Sequence, residues 1–265
     1  MNIRILITFL FLISAFVAYF EKAFSQDYCE KFECYQGAVI KGDTRLKKLS
    51  LVFTGHTFAE GGEHVLQVLN EQDIKGAFFF TGDFYRNPDF KELVQKLHRD
   101  GHYLGAHSDK HLLYCDWTKR DSLLVSNAVF QKDLKDNYAE MKRFGIDKTD
   151  APFFLPPYEW YNQAISNWTS EMDLQLINFS SGTRSNADYT TPDMKNYLSN
   201  EEIFNSIIQY EKESPIGLNG FMLLIHIGTA PERTDKFYHQ LEKLIDTLQA
   251  KNYQLVPLTE LLKLP

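Results

Sequence analysis

Two hydrophobic patterns alternate along residues 49–256. Continuous apolar runs are typical of parallel strands buried on both faces, and they predict strands at residues 49–54, 76–81, 102–106, 152–155, 174–179, 221–225 and 253–256. Apolar residues that recur every three or four positions are typical of helices with one buried face, and they predict helices at residues 62–71, 89–99, 119–144, 160–170, 201–213 and 234–251. This alternation predicts a parallel sheet with helices outside it.

The number of strand and helix units indicates the architecture. About seven units in one unbroken chain favour an α/β fold, a complete or incomplete barrel in a single domain, over an open doubly wound sheet. No glycine-rich phosphate loop follows the first predicted strand, which argues against a nucleotide-binding fold. In a barrel, the carboxyl ends of the strands meet on one face, and the active site is expected there.

Residues 1–25 have the composition of a secretory signal peptide. Arg4 precedes an apolar run at residues 5–20, and Ala23 and Ser25 are the small residues that a signal peptidase reads. A retained membrane anchor is the alternative, but the run is shorter than the ~20 residues that a span needs. We expect cleavage before Gln26, a tail at residues 26–48, a barrel domain at residues 49–265, and a periplasmic or secreted protein that leaves the membrane.

Composition and charge limit the kinds of partner that we expect for this chain. The 265-residue chain has a formal net charge of −7, and no basic run follows its first residues, so we expect no nucleic-acid partner. Cys29 and Cys34 are close enough in sequence to form a disulfide in an oxidising compartment. Cys115 has apolar neighbours and is expected to be a buried, unreactive thiol, with a catalytic thiol beside His111 as the alternative.

Four histidines follow predicted strands: His56, His107, His111 and His226. His107 and His111 come directly after the strand at residues 102–106, and one helical turn between them would aim both imidazoles at one metal ion. Because the strand ends share one face of the barrel, we expect these side chains and Glu159 to form one site. We therefore expect His107 and His111 to bind a divalent metal.

Three motifs make the chain resemble the polysaccharide deacetylases of carbohydrate esterase family 4, the NodB-homology domain. Residues 107–111 match the family's His-Ser-x-x-His, residues 156–158 match the last three positions of Arg-Pro-Pro-Tyr, and residues 224–226 match Leu-x-His. The resemblance extends from residue 49 to the C-terminus. It implies a distorted (β/α) barrel, a divalent metal held by Asp-His-His, an aspartate base and a late histidine acid. The substrates it implies are chitin-like sugars, peptidoglycan or acetylated xylan.

The chain departs from the family at its first motif. Val-Phe-Thr-Gly-His stands at residues 52–56 where the family has Thr-Phe-Asp-Asp-Gly, so the base and one metal ligand are missing from their places. Leu155 replaces the arginine that orients the base. The loss of the arginine is consistent with the loss of the base, because a guanidinium without its carboxylate would be an unpaired charge in the site. The strings at residues 53–56, 107–111 and 156–160 resemble a divergent branch of Bacteroidetes-type bacteria with a rebuilt site.

The resemblance also assigns roles within the rebuilt site. His56 is the expected third metal ligand, since three histidines suit zinc; Glu60 and Asp83 are alternatives, and His56 could instead hydrogen-bond a loop carbonyl. His226 is the expected acid that protonates the leaving group. Tyr158 is expected to offer its backbone N–H to the oxyanion.

The remaining candidates have less specific signals. Glu159 is the expected base, and its alternative role is a helix N-terminal acid stabilised by the helix dipole. Trp160, Tyr161 and Tyr189 are expected to stack on sugar rings, although such rings are also common in cores. Arg184 is expected to contact substrate or, with Asp188, to support His226. The alternatives for that support are Arg233 and Asp235.

These observations predict an exported, metal-dependent carbohydrate deacetylase or esterase that hydrolyses acetyl groups from a polysaccharide. A divalent metal, zinc by preference, would lower the pKa of bound water and polarise the acetyl carbonyl. The alternative is a catalytically impaired barrel that binds glycans, which the missing aspartates favour. Glycoside hydrolysis would need two carboxylates about 5–10 Å apart across a cleft, with Glu159 paired to Asp188 or Asp83.

Overall fold

The computed structural model describes residues 28–263 and contains one large, mostly parallel sheet. The strands are β1 (Glu33–Tyr35), β2 (Ala38–Lys41), β3 (Lys48–Gly55), β4 (Ala77–Phe80), β5 (Tyr103–Ala106), β6 (Phe153–Phe154), β7 (Gln175–Leu176), β8 (Phe221–His226) and β9 (Gln254–Leu255). The helices are α1 (Gly62–Glu71), α2 (Gly82–Arg86), α3 (Lys91–Arg99), α4 (Asn127–Lys142), α5 (Gln163–Ser170), α6 (Asn200–Glu213), α7 (Leu241–Ala250) and α8 (Leu258–Leu261).

The sheet has seven strands in the order β7-β6-β5-β4-β3-β8, and β9 pairs with β3. Each of these pairs is parallel. A curled parallel sheet with helices outside it is a distorted (β/α) barrel, and this prediction is confirmed.

The core lies on both faces of the sheet because side chains alternate along each strand. In β4, Phe78 and Phe80 belong to the cluster that buries the apolar faces of the helices, whereas Phe79 points to the other cluster. Phe32 and Leu258 complete that second cluster from the two ends of the described chain. Three consecutive phenylalanines can thus all be fully buried.

Residues 28–48 pack against the barrel. Strands β1 and β2 form an antiparallel hairpin, and Val39 makes a parallel bridge to Ile177. Cys29 and Cys34 form the predicted disulfide, with their Cα atoms 5.4 Å apart. Cys115 is a free, fully buried thiol, as predicted.

Three helices begin at other residues than the sequence pattern predicts, and capping groups explain two of these differences. The helix predicted from residue 119 begins at Asn127, because the Ser126 hydroxyl caps it by accepting from the Val129 N–H. The helix predicted from residue 160 begins at Gln163 for the same reason, with Asn162 as its cap. The predicted helix at residues 234–251 is a 3₁₀ turn followed by α7.

Within residues 28–263, no helix combines the length and the apolar character that crossing a membrane requires. The predicted signal peptide lies outside the described residues.

Candidate active site

The carboxyl ends of four strands open into one cavity of about 590 Å³. Its walls include residues that follow β3, β5, β6 and β8, the arrangement expected of a barrel of this kind. The predicted site residues that line it are His56, His107, His111, Tyr158, Glu159, Tyr189 and His226. The fold therefore brings together groups that are up to 170 positions apart, counted from His56 to His226.

The backbone between the two motif histidines is not a helical turn, contrary to the sequence-based expectation. Ser108 and His111 have positive φ angles of 73° and 54°, and the Ser108 hydroxyl accepts a 2.7 Å hydrogen bond from the His111 N–H. The buried Asp133 carboxylate of α4 accepts from the Asp109 N–H and holds the turn from behind. The rings of His107 and His111 are nevertheless only 5.1 Å apart.

Both motif histidines are neutral and able to donate a nitrogen lone pair. The His107 Nδ1 lies 2.8 Å from the Leu155 carbonyl, so it carries the proton, and Nε2 is left for another partner. Burial lowers the pKa of His107 to about 3 and that of His111 to about 2, and their mutual proximity adds to the effect for His111. A neutral imidazole oriented by a backbone carbonyl is the usual form of a metal ligand.

The third ligand of a metal centre is not in place. His56 stacks on His111 with ring centroids 4.8 Å apart, and its Nδ1 lies 3.0 Å from the Thr81 hydroxyl. Glu60 accepts from the Thr229 N–H and from Lys236, and Asp83 pairs with Arg86 and Lys110. Within residues 28–263, no three His, Cys, Asp or Glu side chains are arranged to hold a metal ion. The donor set thus fits two protein ligands, whereas catalytic zinc sites use three.

His226 and Asp188 form a buried pair at the end of β8. The His226 Nδ1 donates to Asp188 Oδ1 at 2.6 Å, and its backbone N–H donates to Oδ2 at 2.8 Å. Asp188 is 1% exposed. Burial lowers the pKa of His226, but the Asp188 carboxylate and Glu159 together outweigh burial, so the pKa is raised. Arg233 and Asp235, the alternative supports, bond to Thr190 and Asn200 instead.

Glu159 sits on a strained turn beside this pair. Tyr158 and Glu159 have φ angles of 60° and 53°, a left-handed conformation that residues other than glycine rarely adopt. The Asn178 amide donates to the Glu159 carbonyl and holds the turn. Burial is the main cause that raises the pKa of Glu159 to about 7, with Asp188 adding and His226 opposing. Helix α5 begins only at Gln163, so Glu159 is not a helix N-terminal acid.

Three of the predicted sugar contacts lie away from the cavity. Tyr161 is 1% exposed, and its hydroxyl donates to the Tyr35 carbonyl. Trp160 packs beneath Trp117, and the exposed Arg184 bonds through its backbone to Ser206. We therefore leave these three out of the proposed site, and Tyr189 remains.

The structure adds residues that the sequence analysis does not single out. Trp117 and Phe58 line the cavity and are exposed. Thr54 also lines it, is 2% exposed, and has no hydrogen-bond partner for its hydroxyl in the described part of the chain. A Cβ on Gly55 would lie 2.9 Å from each of Ile227, Phe80 and Phe84. Apolar side chains thus fill the space that an aspartate at position 55 would need.

Comparison with known proteins identifies the family. A family model for polysaccharide deacetylases matches residues 41–177, more than half of the chain. The chain belongs to the polysaccharide deacetylase family.

Curated relatives are distant and longer. An uncharacterized Bacillus subtilis protein, YlxY, is 26% identical over 200 residues, which are 76% of this chain and 52% of that protein. A chitin deacetylase of Arthroderma benhamiae is 25% identical over 158 residues, which are 59% and 40% of the two chains. The chain thus spans about half the length or less of these two relatives.

Solved structures share the fold. A chitin deacetylase from Colletotrichum lindemuthianum aligns with a TM-score of 0.65 and 19% identity, over 87% of this chain and 93% of the other. A family 4 carbohydrate esterase pseudoenzyme from Bacillus anthracis aligns with a TM-score of 0.65 and 15% identity, over 87% and 70%. The fold is therefore shared by an enzyme and by a pseudoenzyme.

Proposed function

We propose that this protein hydrolyses acetyl groups on a polysaccharide, in the cavity at the strand ends. The observation that carries the proposal is the meeting of His226, Glu159 and the motif pair His107 and His111 in one cavity, with the buried Asp188 bonded to His226. It provides a candidate acid, a candidate base and neutral imidazoles next to one another, which is the constellation that acyl hydrolysis requires.

His226 is the proposed acid. Asp188 holds one proton on Nδ1, so the second proton of the imidazolium is on Nε2, from which it would pass to the leaving sugar oxygen or nitrogen. The raised pKa keeps the imidazolium populated nearer neutral pH than an isolated histidine would be. Asp188 is a positioning residue in this scheme.

Glu159 is the proposed base. A carboxylate with a pKa of about 7 is half ionised at neutral pH and can take a proton from an attacking water. The unpartnered Thr54 hydroxyl, which also lines the cavity, supports a water site there. The backbone N–H of Tyr158 keeps its proposed role of stabilising the oxyanion.

His107 and His111 are the proposed ligands of a divalent cation, with zinc as the preferred metal. His56 would have to leave its stack on His111 and its contact with Thr81 to be the third ligand. The neutral donor set supports this assignment for the motif pair. A bound cation would supply polarisation of the acetyl carbonyl and a lower pKa for water.

Acetate release tests the proposal. Wild type, His226→Gln and Glu159→Gln are assayed on acetylated chito-oligosaccharides and acetylated xylo-oligosaccharides, before and after chelation and with zinc added back. Glu232→Gln, at an exposed glutamate that does not line the cavity, is the matched control. The proposal expects release by wild type and the control, and at least about tenfold slower release by the other two variants.

A glycan-binding protein without turnover is the second candidate. The observation that favours it is the presence of Thr54 and Gly55 in place of the family's two aspartates. Binding of acetylated oligosaccharides without acetate release under every metal condition would support this candidate and refute the first.

Glycoside hydrolysis has less support. Glu159 is the only carboxylate among the described residues that line the cavity. Asp188 is buried against His226, and Asp83 pairs with Arg86 and Lys110. A second carboxylate across the cleft, which that chemistry requires, is therefore missing from the described cavity walls.

Export remains part of the proposal. The apolar run at residues 5–20 and the small residues Ala23 and Ser25 support a cleaved signal peptide. Mass spectrometry of the native protein should find Gln26 at the N-terminus; an intact N-terminus in the cytoplasm would refute export.

A further inference from the structure

Exposed apolar side chains are concentrated at the cavity. Ten large apolar residues are exposed in the described part of the chain, and five of them line this one cavity. The five are Phe58, Trp117, Tyr158, Tyr189 and Met194. A patch of exposed apolar side chains around a cavity marks a surface that meets a ligand.

Trp117 is the most exposed of the five, at 54%, and it is held in place from below. Its ring lies 5.5 Å from that of Trp160, whose indole N–H donates to the Asp116 carbonyl. Arg120 is on the same loop as Trp117, and its guanidinium lies 4.0 Å from the Trp160 ring. The Asp116 carboxylate accepts from the Thr118 N–H and closes the turn. These contacts hold the Trp117 ring in place, so little conformational entropy is lost when a ligand packs on it.

The exposed rings contact different members of the proposed catalytic set. Trp117 lies 5.5 Å from Tyr158, whose ring is 4.3 Å from His111. Tyr189 instead lies 5.5 Å from His226. The Tyr158 ring thus separates Trp117 from His111, so a sugar unit packed on Trp117 would neighbour the unit that lies beside the proposed catalytic groups.

The charge of the cavity indicates what kind of ligand this is. Neither lysine nor arginine is among the described residues that line it, and Glu159 is the only carboxylate. A chain of phosphates or uronates would therefore find no lysine or arginine on the cavity wall to pair with. The exposed aromatic faces suit the apolar faces of uncharged pyranose rings.

We infer that Trp117 is a sugar-stacking platform that selects uncharged polysaccharide chains over short fragments. A neighbouring pyranose packs on the Trp117 ring while the acetylated unit lies beside His226 and Glu159. This inference rests on the proposed function for its substrate class, but it concerns binding, so it is tested without turnover.

The test measures affinity against chain length by calorimetry. Acetylated chito-oligosaccharides of two to six units are titrated into the full-length protein carrying Glu159→Gln, alone and combined with Trp117→Ala, Trp117→Phe or Leu124→Ala. Leu124 is 51% exposed on the same loop and does not line the cavity. A stacked ring should contribute about 2- to 10-fold in affinity.

The expected result is an affinity that rises with length in the parent and in the Leu124→Ala protein. Trp117→Ala should lose about 2- to 10-fold on the longest oligosaccharide and little on the shortest, and Trp117→Phe should recover much of the loss. An equal loss at every length, or none, would overturn the inference. Length-dependent binding in a wild-type protein that releases no acetate would refute the proposed function and leave this inference standing.

Discussion

Glu159 should destabilise the folded protein once it ionises, and Glu159→Gln tests this. Burial raises its pKa from 4.5 to about 7. At 1.36 kcal/mol per pKa unit, the charged form should cost the folded state about 3 kcal/mol. Because the folded pKa of this acid is raised, the cost is absent below pH 4.5, grows between pH 4.5 and 7, and is complete above pH 7. The glutamine side chain of the variant keeps the shape of the glutamate and carries no charge.

The assay is urea unfolding of both proteins at about pH 4.5 and about pH 9. The variant should gain about 3 kcal/mol over wild type at the higher pH and little at the lower one. Glu232→Gln, at an exposed position, controls for a general loss of negative charge and should change nothing at either pH. Equal stability of wild type and Glu159→Gln at pH 9 would show that the carboxylate is solvated and refute the argument for a tuned base.

Three further results are expected. Asp188→Asn should lower kcat at least about tenfold, because the amide no longer fixes the His226 tautomer, while circular dichroism shows an intact fold. The pH profile of kcat/KM should rise through about pH 7 as Glu159 ionises, and in Glu159→Gln this rising limb should disappear. Gly55→Asp should cost about 1–3 kcal/mol in the free energy of unfolding, because its Cβ meets three buried side chains, whereas Thr54→Ser, with a similar hydroxyl, should cost less; equal losses would contradict the packing argument.

The sequence pattern predicts the barrel well because its strands are buried. A continuous apolar run such as residues 76–81 can be buried only in a sheet that is covered on both faces, and the structure has strand β4 at this position. The start of helix α4 is predicted less well. Residues 123–125 are apolar and continue a helical spacing, yet Leu124 is exposed, and the cap at Ser126 decides where the helix begins.

The site is predicted in part. Strand-end histidines and a family motif are local signals, so His107, His111 and His226 reach the cavity as expected. Tyr161 does not, because its hydroxyl is bonded to Tyr35 in a hairpin 126 positions earlier in the chain, and no local pattern encodes that contact. Trp117 also reaches the cavity from a loop, and a loop has no hydrophobic periodicity that would predict where its side chains point.

The central claim is that this cavity removes acetyl groups, and one assay measures that directly. Wild-type protein with zinc is incubated with an acetylated oligosaccharide, and free acetate is measured over time beside His226→Gln. The account predicts acetate release by wild type and at least about tenfold less by the variant. Wild-type protein that binds the oligosaccharide but releases no acetate, with zinc bound, would contradict it.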